Sequence, residues 1–304
     1  MRRSDKRATF IYPALGSSAD LWFMRVAGHG LGNCFYTYFH AVALAETSGA
    51  TVVTPPWFSL KLGPLLRGER SKRFYWRMFR PFEGEIHGTR KLLTLLGSYH
   101  NRVVLKVGES IAPTVATGTL NVVVSSNFTF RGLHAHRPVI RDRLLRTVND
   151  PIPVNHLWGG GDYIAIHVRL GDFTPVLDPS LLNNAQPNAR IPLVWYVNLT
   201  RALRKRYADK PVYLFSDGEE KELRPLLDLG AELYRTGSDI TDLLAMAGAS
   251  ILVGSNSTYS RWAAFLGDMP SIWLKTAVNL EKPTAPETPI LHVPIDCTEP
   301  VLWE

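Results

Sequence analysis

Tyr163-Ile164-Ala165-Ile166-His167-Val168-Arg169-Leu170-Gly171-Asp172-Phe173 is the stretch on which the reading of this chain turns. Tyr163–Val168 reads as a strand, and side chains alternate faces along a strand. Ile164, Ile166 and Val168 then point one way, and His167 and Arg169 point the other, at the strand's carboxyl end. Outward from it, strand patterns recur at Val212–Ser216, Ser250–Val253 and Ser271–Leu274. Helical patterns fall between and after them, near Leu193–Tyr207, Glu220–Leu229, Ile240–Ala247 and Thr258–Leu266. Strands alternating with helices predict a mostly parallel sheet covered by helices on both faces.

The N-terminal half opens in a related way. Leu21–Ala27 reads as a strand running into the glycine turn Gly28-His29-Gly30-Leu31-Gly32-Asn33. A helix with Phe35, Phe39, Val42, Ala43 and Leu44 at apolar spacing follows and ends near Gly49, and Ala50–Thr54 is the next strand. Lys61–Lys106 reads as irregular, basic and aromatic, with 11 Lys/Arg against 3 Glu. Strands at Arg102–Val107 and Leu120–Ser125 and a helix over Pro138–Val148 complete this half. Asn149-Asp150-Pro151-Ile152-Pro153, followed by Gly159-Gly160-Gly161, marks the boundary. The expected organisation is α/β: a Rossmann-like domain over 1–152, a second over 153–304, and a cleft between them.

Length and composition agree with a folded enzyme-sized chain. Its 304 residues are 45% hydrophobic and 20% charged, which argues against disorder, a coiled coil or a disulfide scaffold. The net charge of +7 is unevenly placed. Residues 1–150 carry 21 bases and 9 acids, whereas residues 151–304 carry 13 and 18. Only Cys34 and Cys297 are present, so a reducing, cytoplasmic setting is expected. No apolar run reaches the roughly 18–20 residues of a membrane helix. The basic start loosely mimics a signal peptide, but Asp5 and Pro13 interrupt the pattern. The histidines are scattered without metal-ligand spacing, so no metal and no cofactor are expected.

Four segments could carry chemistry. The glycine turn can bring backbone N–H groups close to an oxyanion or a sugar hydroxyl. As a dinucleotide fingerprint it fails, because Asn33 stands at the third glycine and Thr54-Pro55 replace the acid expected after the second strand. A tight turn with an Asn cap is the plain alternative. Arg169, at the end of the opening strand, suits a phosphate or diphosphate through its planar fork. Asp172 is open to two roles, general base or orienting partner of Arg169, and His167 to catalysis or packing. Phe215-Ser216-Asp217-Gly218 sets polar groups at another strand's carboxyl end, for a ribose or base, or as a helix cap. Gly254 leads into Ser255-Asn256-Ser257-Thr258-Tyr259-Ser260-Arg261-Trp262, whose hydroxyls at a helix start suit a phosphate.

In this order and spacing, these segments resemble the α-1,2-fucosyltransferases of glycosyltransferase family 11. The matching residues are Gly30-Leu31-Gly32-Asn33, His167-Val168-Arg169-Leu170-Gly171-Asp172-Phe173, Phe215-Ser216-Asp217 and Asn256-Ser257-Thr258-Tyr259-Ser260-Arg261-Trp262. Asp242-Leu243-Leu244-Ala245-Met246 resembles a further helix of that family. Residues 57–150 align with no motif. Cys34, Leu170 and Arg261 depart from the family's Gln, second Arg and first Trp. The resemblance implies a GT-B-like fold and inverting, metal-independent transfer of fucose from GDP-fucose to a galactose hydroxyl in α-1,2 linkage. It implies a donor site of Arg169, Ser216, Asp217, Asn256, Ser257, Thr258 and Ser260. Gly30, Gly32 and Asn33 would contact donor or acceptor, and Arg169, Asp172 and His167 are the catalytic candidates.

Two other readings compete. One keeps the glycosyltransferase and changes the nucleotide sugar. The other is a polyanion- or RNA-binding protein, suggested by Lys61–Lys106. No nucleic-acid-binding signature accompanies that charge, so no nucleic-acid partner is expected. The expected partners are a nucleotide sugar, a glycan acceptor and, through the basic half, peripheral contact with the anionic inner face of a membrane.

Overall fold

The computed structural model describes residues 8–16, 19–66, 73–109, 113–125, 127–152, 157–176, 182, 188–276 and 281–303. They form two compact units, and the division falls between Asp150 and Pro151.

The first unit is built on a parallel four-stranded sheet, β1 (Phe10–Pro13), β4 (Thr51–Val52), β6 (Arg102–Val107) and β7 (Leu120–Ser125), in the order β4-β1-β7-β6. A smaller sheet joins the hairpin of β2 (Ala19–Leu21) and β3 (Met24–Val26) to β5 (Ser59–Leu60). This corrects the expectation for Leu21–Ala27. That segment is the hairpin's turn and return strand, and the strand that opens the main sheet is Phe10–Pro13. The misreading has a physical reason. Phe10-Ile11-Tyr12 is an apolar run too short to stand out, and the proline that ends it argues against a central strand, which β1 nevertheless is.

Helix α1 (Leu31–Ser48) is buried over most of its length and stops at Gly49, whose left-handed φ of 70° closes the last turn. Short α2 (Leu62–Leu66), α3 (Gly88–Gly97) and α4 (Arg137–Thr147) complete the unit. The stretch read as irregular therefore holds a ten-residue helix, α3. Phe35, Phe39, Trp57 and Phe79 pack edge-on around α1, with Trp57 and Phe79 ring centres 4.4 Å apart. Inside this unit the Glu85 carboxylate accepts from the Tyr38 hydroxyl (2.8 Å), Thr54 (2.7 Å), the Phe82 amide (3.2 Å) and the Arg143 guanidinium (2.6 Å).

The second unit carries six parallel strands, β8 (Ile164–Val168), β9 (Val212–Ser216), β10 (Glu232–Leu233), β11 (Ile251–Val253), β12 (Ser271–Leu274) and β13 (Ile290–Val293). Their order is β10-β9-β8-β11-β12-β13, with every pairing parallel. Numbered within the unit this is 3-2-1-4-5-6, the doubly wound dinucleotide-fold order, whose topological switch point lies between β8 and β11. The helices are α5 (Leu193–Arg206), α6 (Glu220–Leu227), α7 (Asp239–Gly248) and α8 (Thr258–Gly267). Every residue of β8 is buried. Ile164, Ile166, Val168 and Leu170 enter one apolar core with Trp195, Leu199, Leu203, Leu223 and Leu226. The edge strands β10 and β13 carry too short or too mixed a pattern to be read from sequence. None of the described helices is long and apolar enough to cross a membrane.

Candidate functional site

In a sheet of this order, ligands bind at the carboxyl ends of the strands that flank the switch point. That is where the polar residues of the second unit gather. β8 and β11 run in register, with Ile166 paired to Val253, so the residues leaving β8 meet those leaving β11. His167 is 4% exposed, and its Nδ1 lies 2.9 Å from the Ser255 hydroxyl. Burial pushes the His167 imidazole well below the ordinary histidine range, and the Arg169 guanidinium adds to the effect while Asp217 opposes it. The ring is therefore neutral and packed, with Tyr259 against it at 5.5 Å between ring centres.

Arg169 follows β8 directly and is held by two carboxylates. Nη2 donates to Asp172 Oδ1 at 2.5 Å, and Nη1 lies 2.7 Å from Asp217 Oδ2. The side chains keep 20%, 31% and 23% of their surface, so this is a half-sheltered ion triad rather than a surface pair. Asp217 also accepts the Leu170 amide at 2.8 Å through Oδ1. That approach depends on Gly171, where a Cβ would lie 2.2 Å from Asp217 Oδ2. The Nε of Arg169 is buried and finds no acceptor among the described residues. Asp172 Oδ1 is occupied by the guanidinium, an arrangement that orients Arg169. Ser216 donates to the Val168 carbonyl (2.7 Å) and accepts from the Gly218 amide (3.0 Å), so its hydroxyl bends the β9 loop.

Across the switch point, α8 begins. Ser257 is its N-cap and accepts from the Tyr259 amide at 3.2 Å. Asn256, Ser257 and Thr258 are half-buried at this positive helix end. Ser260 differs from them. It is fully buried, and its hydroxyl donates back to the carbonyls of Ser255 and Ser257 and accepts from the Ser255 amide, so it shapes the turn. In the first unit, Gly30 is the N-cap of α1 and Gly32 and Asn33 lie in its first turn. The plain alternative of an Asn cap is thereby corrected, because Asn33 sits inside the helix. Among the described residues, no three His, Cys, Asp or Glu side chains are grouped as a metal ion would need.

No protein-family model matches the chain, and no curated protein matches it in sequence. Solved structures of similar shape exist. The fucosyltransferase NodZ from Bradyrhizobium superposes with a TM-score of 0.46 at 13% identity, covering 85% of this chain and 93% of NodZ. POFUT1 in complex with GDP gives 0.47 at 12% identity, covering 97% and 100% of the two chains. At that distance neither likeness assigns a family or an activity.

Sequence reasoning missed one contact and two residues in the second unit. Ser255 is the bonding partner of His167, a relation between strands that are 88 residues apart. Arg190 donates from Nε to the Phe173 carbonyl at 2.8 Å, and Arg235 from Nη2 to the Gly218 carbonyl at 2.5 Å. These two guanidiniums brace the loops after β8 and β9. Arg235 directly follows the short β10 and Tyr234, so recognition of that strand would have been the signal.

Proposed function

We propose that the chain is an inverting, metal-independent glycosyltransferase of GT-B type whose second unit binds the nucleotide-sugar donor. The observation that carries this reading is Arg169. A guanidinium stands at the switch point of a 3-2-1-4-5-6 sheet, pre-oriented by Asp172 and Asp217, with one buried donor still unused. A bidentate cation in that place suits a diphosphate, and the half-buried start of α8 adds backbone donors beside it. The donor is GDP-fucose, on the motif resemblance, and the acceptor is a glycan hydroxyl, with α-1,2 linkage to galactose.

In the reaction the sugar–phosphate bond breaks as the acceptor oxygen attacks the anomeric carbon, and the acceptor's hydroxyl proton passes to the departing diphosphate. Charge then builds on the departing diphosphate, and stabilising that charge lowers the barrier. Arg169 serves this role, with the diphosphate taking the place of Asp172 on Nη2 while Asp217 holds the other edge. Asn256, Ser257 and Thr258 receive the phosphates, and Ser216 and Asp217 shape the loop beside the ribose. His167, neutral and enclosed, positions Ser255 and the start of α8.

Thermal stabilisation by GDP, UDP and CDP tests the reading. GDP is expected to raise the melting temperature selectively, and Arg169→Ala to remove that rise. Equal responses to the three nucleotides, or a GDP response that survives Arg169→Ala, would refute it. Transfer from GDP-fucose to a panel of galactose-terminated glycans then tests the linkage.

A further inference from the structure

We propose that the turn end of the small sheet in the first unit docks on an anionic lipid surface, with Trp22 and Phe23 entering the headgroup boundary. Leu21 ends β2, and Trp22 and Phe23 form the turn to β3. These three are 45%, 40% and 54% exposed, and the two rings meet edge-on with centres 5.3 Å apart. β3 pairs with β5 in parallel, Arg25 beside Ser59, and the Arg25 amide donates to the Phe58 carbonyl at 2.9 Å. Continued back by one residue, that register sets Met24, which follows Phe23, beside Phe58. Phe58 in turn meets Trp76, with ring centres 4.9 Å apart, and Trp76 is 62% exposed. A single exposed leucine needs no explanation, whereas exposed aromatics gathered at one end of a sheet mark an interaction surface.

The segment that carries Trp76 is fixed in place. The Ser59 amide donates to the Phe74 carbonyl at 2.8 Å, and Arg73, Tyr75 and Arg77 take left-handed φ of 53°, 53° and 55°. Residues with side chains seldom adopt that conformation, and such residues cluster at functional surfaces. Here the alternation buries Tyr75 and turns Trp76 outward. Charge selects the occupant. Over 57–66 and 73–82 the chain carries four bases and no acid. Arg77 is exposed, with its guanidinium carbon 5.7 Å from the Trp76 ring centre. The hairpin's one acid, Asp20, accepts from the Tyr12 hydroxyl. Like charge opposes a second copy of this face, and the exposed Leu21, Leu60 and Leu62 offer nothing to a sugar hydroxyl. A membrane boundary satisfies all of these groups. Indole and phenyl rings settle at the headgroup level, leucines reach the acyl chains, and guanidiniums pair with lipid phosphates. This docking surface stands whether or not the second unit transfers a sugar.

The test is co-sedimentation of the full chain with vesicles of phosphatidylcholine alone and of an equal mixture with phosphatidylglycerol. The mixed vesicles are expected to bind at least about tenfold more tightly than the neutral ones at about 0.1 M salt. The double variant Trp22→Ser/Phe23→Ser should lose at least about tenfold in that binding. It should melt like the wild type, because both side chains are exposed at a turn. Trp76→Ser, on a separate segment, should also weaken binding, so the outcome does not hang on the folding of one variant. Arg77→Gln should weaken it about fivefold. Lipids brominated on the acyl chains should quench the tryptophan emission of the wild type, and less so that of Trp22→Ser. Absence of binding to the mixed vesicles, equal binding by the wild type and the folded tip variants, or no acyl-chain quenching would overturn the proposal. So would a dimer in light scattering that the double variant abolishes while vesicle binding persists, since a second copy would then cover this face.

Discussion

Gly171→Ala probes the donor site without touching a charge. The added methyl would sit 2.2 Å from Asp217 Oδ2 and 3.0 Å from its Cγ. Both atoms belong to a short side chain that can rotate, so the methyl takes the space and the carboxylate moves. The cost is then what the carboxylate loses: the Arg169 contact at 2.7 Å and the Leu170 amide at 2.8 Å. A hydrogen bond to a charged group contributes about 1.5–3 kcal/mol, and the partly exposed ion pair adds under about 1 kcal/mol. Together these give roughly 2 kcal/mol, which lowers the melting temperature by about 4–8 °C for a unit of this size. With one tether gone, Arg169 is no longer pre-oriented, and GDP should bind about tenfold more weakly by calorimetry. Asp217→Ala should reproduce both effects, and the double variant should cost little more than either single one, because all three remove the same contacts. An additive double variant, or a Gly171→Ala protein that melts and binds GDP like the wild type, would refute the reasoning.

Two further outcomes are expected. Glu85→Ala strands the buried Arg143 guanidinium, along with Tyr38 and Thr54, and should destabilise the first unit by about 3–5 kcal/mol in urea unfolding; a change below about 1 kcal/mol would contradict a buried ion pair. For His167, burial lowers the folded-state pKa, so below the ordinary histidine value near 6.5 the unfolded chain binds the extra proton. Stability from this residue is complete above about pH 6.5 and falls by up to about 1.4 kcal/mol per pH unit on acidification. His167→Asn should flatten that part of the melting profile, and an unchanged slope would contradict the burial.

The two units differ in how far they could be read in advance. In the second, Val212–Ser216 and Ser271–Leu274 coincide with β9 and β12, because a largely buried parallel strand is a bounded apolar run. In the first, Arg102–Val107 and Leu120–Ser125 coincide with β6 and β7, whereas the inserted hairpin and the short Phe10–Pro13 strand broke the pattern nearer the start. Charge was legible only as a total. The excess of bases in residues 1–150 suggested a surface for an anionic partner, yet Arg25, Lys61, Lys91 and Arg143 are buried. Burial pushes the Lys91 ammonium down to about 8, with the Asp20 and Glu85 carboxylates opposing it, and its Nζ lies 5.4 Å from the Tyr12 ring centre.

What the amino-acid order determined by itself was local. Period and punctuation set the α/β alternation, the boundary near Asp150, and the placement of Arg169 and Asp217 at strand ends. Strand order, and with it the switch point, arises from pairings between segments far apart in the chain, which no local pattern encodes. The tertiary structure alone therefore decided that Asp172 and Asp217 both hold Arg169, that His167 meets Ser255, and that Arg25 lies buried against the Tyr75 ring. Each depends on which distant backbone comes within hydrogen-bonding distance.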